Sequence, residues 1–207
     1  MKKGSVIVMP ITLEKNKGIS LRKNDRSITK LLVGLGWEAN STGKETFDLD
    51  ASAVLLAANE HVRNEEDLVF YGALDHKSGA VKHMGDDLKG GDGTADAEQI
   101  NVDLTLVPES IQSIVFTVTI YDYDVKGQNF GQVRNAYIRV IDMSPNQNGV
   151  GDELARYDLS EDFSTGNAVI AATIKRNEGD WKFTAVGEEL DGGLKALCHK
   201  YGVRVQD

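Results

Sequence analysis

Two acidic segments carry the side chains best suited to chemistry in this chain. The first is Phe47-Asp48-Leu49-Asp50-Ala51-Ser52, with carboxylates at i and i+2. In an extended segment these share one side, and Phe47, Leu49 and Ala51 occupy the other. The second runs from Gly85 to Glu98 and sets Asp86, Asp87, Asp92, Asp96 and Glu98 among Gly85, Gly90, Gly91 and Gly93. Lys89 is its only cation. Carboxylates this close repel one another, and the glycines oppose helix and strand alike, so a bound cation gives the segment a reason to order. Calcium takes about six to eight oxygens at about 2.3–2.6 Å, and glycine lets the backbone bend until carboxylates and carbonyls converge. Alone, the first segment reads as a solvent-facing strand and the second as a solvated acidic loop. Together they read as two arms of one calcium site.

Other chemistries fit less well. An EF-hand loop needs oxygen ligands at its first, third and fifth positions, glycine at the sixth and glutamate at the twelfth. Starting at Asp87 brings Glu98 to the twelfth place, but Lys89 falls third and Asp92 sixth. Asp48-Leu49-Asp50 also suggests a metal-dependent phosphohydrolase, in which one aspartate attacks phosphorus and its neighbour acts as acid and base. That chemistry sits on a doubly wound α/β fold, and the βα alternation it requires is missing here. A small-molecule or nucleotide-binding module is a further alternative, favoured if a basic residue faces the acidic loops. His61, His76, His83 and His199 form no ligand pair at helical or strand spacing, and only His83 adjoins the acidic loop. No phosphate-cradling glycine loop and no Ser/His/Asp arrangement stands out.

The elements that must position these groups are mostly strands. Asn101 to Leu106 alternates polar and apolar residues, as a half-buried strand does. Ser113 to Tyr121 is β-branched, aromatic and apolar on both sides, which predicts a central strand. Extended segments are also predicted over 28–36, 47–57, 68–71, 136–143, 153–159, 168–175 and 181–186, with a short turn or helix near Pro108. One long helix is predicted, because Leu190, Leu194, Leu197 and Tyr201 recur at steps of four, three and four before Gly202. Its stripe should dock on the sandwich edge, and Cys198 falls on its apolar side. The fold class is mainly β: a two-sheet antiparallel β-sandwich with a C-terminal helix and few short helices.

A net charge of −9 disfavours nucleic acid and anionic membrane as direct partners. A single cysteine gives no internal disulfide and no thiolate zinc site. The first ten residues lack a signal-length apolar run, and no segment approaches the roughly 18 apolar residues of a membrane span. The chain reads as soluble and cytoplasmic.

These features together resemble the tellurium-resistance TerD family. The residues that carry the resemblance are Val33-Gly34-Leu35-Gly36-Trp37, Phe47 to Ala53, Val69-Phe70-Tyr71-Gly72 and the loop from His83 through Glu98. Gly127-Gln128-Asn129-Phe130-Gly131-Gln132-Val133, Ala155 to Leu159 and Trp181 to Gly187 complete the series. The resemblance spans roughly 19–205, with residues 1–18 as an N-terminal extension that could add a strand. It implies a calcium-binding β-sandwich with two neighbouring calcium ions, encoded in bacterial stress operons linked to tellurite, phage and colicin resistance, and no catalysis. Carried over by position, the implied metal ligands are Asp48, Asp50, Gly85, Asp86, Asp87, Asp92, Asp96 and Glu98. The family's acidic loop is loosened here, with Asp87 in place of asparagine and Ala97 at an acidic position. Other stress-operon proteins are the implied partners, with membrane association only through them.

Overall fold

The computed structural model describes residues 10–23, 25–38, 47–85, 95–144, 151–159, 163 and 165–205. In chain order the first strands are β1 (Ile11–Leu13), β2 (Gly18–Ser20), β3 (Arg22–Lys23), β4 (Arg26–Ser27) and β5 (Lys30–Glu38). Next come β6 (Leu49–Leu56), β7 (Leu68–Val69), β8 (Val81–His83), β9 (Glu98–Asp103) and β10 (Ser113–Ile120). The short helix α1 (Tyr123–Lys126) precedes β11 (Arg134–Asp142), β12 (Asp152–Asp158), β13 (Ala168–Asn177) and β14 (Asp180–Leu190). Helix α2 (Gly193–Tyr201) follows.

Among the described residues, two six-stranded sheets form. Sheet A has the order β1-β12-β11-β5-β9-β8, and sheet B the order β2-β14-β13-β10-β6-β7. Pairing is antiparallel except for β1, which lies parallel to β12. Residues 11–20 thus supply one strand to each sheet.

The alternation seen in the sequence decides which side chains meet between the sheets. Leu31, Val33, Leu35 and Trp37 of β5, Ile100 and Val102 of β9, and Ile114, Phe116 and Val118 of β10 are buried in one continuous core. Opposite faces carry different cargo. The outer face of sheet B presents Val54, Leu56, Val115 and Ile170, and α2 covers them with Leu197, Cys198 and Tyr201. Burial pushes the Cys198 thiol pKa up. The predicted sandwich and C-terminal helix are both present, but the helix docks on the outer face of sheet B rather than on the sandwich edge.

Two predicted elements differ. Leu104–Leu106 turns into a 3-10 helix because Asp103 accepts the Thr105 N–H at 3.0 Å, as a capping side chain does. Leu190 ends β14 opposite Ala168 instead of opening the helix. Gly192, at φ +111°, then turns the chain, and the helical stripe starts at Leu194.

Candidate metal centre

Strand β6 positions the first acidic arm. Its odd residues Leu49, Ala51, Ala53 and Leu55 enter the core, so Asp48, Asp50 and Ser52 project from the outer face of sheet B. Both aspartates are nevertheless buried, at 8% and 4% exposure. Asp50 stands opposite Thr119 of β10, and the Asp48 carbonyl accepts the Tyr121 N–H at 2.9 Å.

Strand β7 pairs with β6 only at Ala53 and Val54. Nearer its start, the β6 edge meets Glu98 instead: a Glu98 carboxylate oxygen accepts the Ala51 N–H at 2.5 Å. Glu98 opens β9 in the inward register of Ile100 and Val102 and is 1% exposed. Its carboxylate therefore crosses from sheet A to the peptide that joins Asp50 to Ala51. Residues 47 positions apart become neighbours.

His83 completes this corner. Its Nδ1 accepts the Gly85 N–H at 3.2 Å, which places the ring proton on Nε2, 3.5 Å from a Glu98 oxygen. Both side chains are fully buried. Gly85 turns at φ +117°, a left-handed angle that favours glycine, and so directs the chain into the acidic loop.

Asp96 goes elsewhere. Its carboxylate lies on the outer face of sheet A, where the Arg139 guanidinium grips both oxygens at 2.8 and 2.9 Å. The Tyr137 hydroxyl and Gln99 amide also donate to it, at 3.2 and 3.3 Å. Burial works against the Arg139 charge, but its hydrogen bonds to Asp96 and Glu153 raise its pKa above the ordinary value. Burial, reinforced by the Asp96 charge, likewise raises the Tyr137 phenol pKa. Gly34 leaves room for this arrangement, since a methyl there would overlap the Asp96 carboxylate.

Asp48 and Asp50 thus project from β6, Glu98 reaches the adjacent Ala51 N–H, Gly85 is bonded to His83, and Asp96 is held by Arg139 instead. Asp86, Asp87 and Asp92 lie outside the described residues. Among the described residues, no three His, Cys, Asp or Glu side chains are grouped to hold an ion on their own. Asp48, Asp50 and Glu98 offer oxygen donors, the ligand type that suits a hard cation. The sole thiol is buried with α2.

The inward register of Glu98 and the buried Asp67 cluster are the two features not named from the sequence. Glu98 stands where the β9 alternation calls for an apolar side chain, a signal of a buried carboxylate visible in Glu98-Gln99-Ile100-Asn101-Val102. Buried Asp67 holds Arg63 at 2.6 and 2.9 Å and His76 at 3.1 Å, and nothing but the Arg63–Asp67 spacing announced it.

The TerD domain family model matches residues 9–201. The chain is 44% identical to tellurium resistance protein TerD of Serratia marcescens, over 94% of its own length and 98% of that protein's. It is 41% identical to general stress protein 16U of Bacillus subtilis, over 95% of its length and 100% of that protein's. The crystal structure of a TerD homologue from Streptomyces coelicolor superposes with a TM-score of 0.67 at 20% identity, covering 87% of this chain and 100% of that one. That last likeness shows the fold alone. The chain belongs to the TerD domain family.

Proposed function

We propose that the chain is a non-enzymatic, cytoplasmic calcium-binding protein of a bacterial stress response, in which two calcium ions order the acidic loops into a partner-binding surface. The observation that carries this reading is the crossing of Glu98 to the Ala51 N–H beside Asp50. It ties the Asp48–Asp50 arm to the strand that closes the acidic loop, so an ion between them would neutralise buried carboxylates from both sheets. Gathering carboxylates around a dication removes their repulsion, and the gain appears as fold stability. Asp48, Asp50, Glu98, the Gly85 carbonyl and Asp86, Asp87 and Asp92 are the proposed ligands. Asp96 is a brace, because both its oxygens are taken by Arg139.

The resistance and stress names of the relatives support the physiological side, and other stress proteins are the proposed partners. No helix among the described residues is long and apolar enough to cross a membrane. The phosphohydrolase alternative loses its scaffold, since β6 pairs antiparallel with β10 and β7 rather than lying in a helix-flanked parallel sheet.

Thermal melting of the metal-free chain tests the proposal. Calcium should raise the melting temperature with magnesium in large excess, because magnesium dehydrates reluctantly and demands near-octahedral geometry. Equal stabilisation by the two ions at equal concentration would remove the dedicated calcium site.

A further inference from the structure

The backbone of His83 is fixed from two sides. Strand β8 pairs it with Ile100 of β9, and its N–H donates to the Leu74 carbonyl at 2.8 Å. Alternation along β8 sends Lys82 outward and turns the His83 ring inward, to the side where Glu98 and Ile100 also point. Nδ1 accepts the Gly85 N–H at 3.2 Å, so Nε2 carries the ring proton. Among the described residues that Nε2–H has no hydrogen-bond partner, although a Glu98 oxygen stands 3.5 Å away and both side chains are fully buried. Buried polar groups left without a partner are rare, and each calls for an explanation.

The geometry points to His83 as a positioning residue that couples Glu98 to the entry of the acidic loop when calcium binds. The inference rests on the calcium reading and deepens it. The Glu98 oxygen that faces His83 is the one that accepts the Ala51 N–H. Typical N–H···O bonds measure about 2.9–3.0 Å, so a closure of about 0.5 Å makes this contact a hydrogen bond. Carboxylates that ligate metals are themselves hydrogen-bonded by groups behind them, which hold the ligand in one orientation. His83 places such a donor where water is excluded.

The other side of the ring carries the effect to the loop. Gly85 turns at φ +117° where the chain enters the acidic segment, and its N–H rests on the same imidazole. A donor bond at Nε2 polarises the ring and strengthens Nδ1 as an acceptor. One rigid ring thus links a proposed ligand on β9 to the first residue of the loop. A histidine kept for its volume alone would need neither nitrogen.

Nitrogen-labelled full chain is titrated with calcium and, separately, with magnesium, and followed by NMR. The buried Nε2–H is protected from exchange with water and gives its own signal. Calcium should move that proton downfield and shift the Gly85 amide with the same midpoint. By calorimetry, His83→Leu should weaken calcium by about tenfold, the lower end of what loss of such a partner costs. His83→Gln, whose amide N–H reaches the Nε2 position, should restore most of that affinity. In a Glu98→Gln background His83→Leu should cost nothing further, because its effect passes through Glu98. Parent-like affinity in His83→Leu, equal losses in the Leu and Gln variants, or the full loss repeated on Glu98→Gln would overturn the role of His83 and leave the calcium reading standing. Should His83→Leu fail to fold, the parent's spectra decide: calcium bound with the Nε2–H unmoved would overturn the role. A parent that binds no calcium would overturn both.

Discussion

Asp96→Asn separates a structural brace from a metal ligand. The Asp96 side chain is 1% exposed and holds Arg139 through two parallel bonds of 2.8 and 2.9 Å. Each charge-assisted bond is worth about 1.5–3 kcal/mol. The asparagine keeps one acceptor, and Arg139 keeps Glu153 at 2.7 Å, so the net loss should fall toward the low end, about 2 kcal/mol. For a chain of this length that corresponds to a melting temperature lower by about 4–8 °C. The assay pairs thermal melting with calcium titration. Asp96→Asn should lower the metal-free melting temperature and leave calcium stoichiometry unchanged. Asp50→Asn should do the reverse: it removes a repelling charge, so the metal-free protein keeps or gains stability while calcium binds more weakly. An Asp96→Asn protein with unchanged melting and fewer bound ions would refute the division of roles.

Asp67 should govern the acid limb of stability. Burial works against its charge, but the Arg63 and His76 hydrogen bonds outweigh it and hold the carboxyl pKa below its ordinary value. The stability it contributes is therefore complete above the unfolded carboxyl pKa, about 3.9, and is lost as pH falls through the folded value. Asp67→Asn should cost about 3 kcal/mol at neutral pH and flatten that acid limb in urea titrations, and an unchanged limb would contradict it. Gly34→Ala should push against the Asp96 carboxylate and cost about 1–3 kcal/mol, measured by chemical denaturation. A neutral Gly34→Ala would mean that the Asp96–Arg139 pair can shift without loss.

Local signals in the sequence carried much of the fold. Alternation in β9 and the doubly apolar β10 named their strands because a sheet reads every second residue onto one face. The α2 stripe was legible from Leu194 onward, and Leu190 misled because a strand ending four residues earlier imitates the same step. Asp48 and Asp50 were placed on one face by their spacing alone. What joins them to Glu98 was not legible, since the contact depends on β7 ending its pairing at Ala53 and exposing the β6 edge. The capture of Asp96 by Arg139, 43 positions away, depends on sheet register and on the space left at Gly34. Neither side chain advertises the other. Likewise the parallel seat of β1 beside β12 follows from where the sheet edge lies, not from any pattern in Ile11–Leu13.

Calorimetric titration of calcium into the metal-free chain and into Glu98→Gln decides whether Glu98 belongs to the metal centre. If Glu98 ties the two acidic arms into one centre, the parent should bind two ions, and Glu98→Gln should lose affinity by about tenfold or more, as loss of one carboxylate ligand weakens a site whose affinity follows ligand charge. Asp50→Asn should weaken binding too, and the double variant should fall short of the sum, because ligands of one cluster are coupled. Calcium affinity unchanged in Glu98→Gln would contradict the account, leaving Glu98 as the partner of the Ala51 N–H and His83 and nothing more.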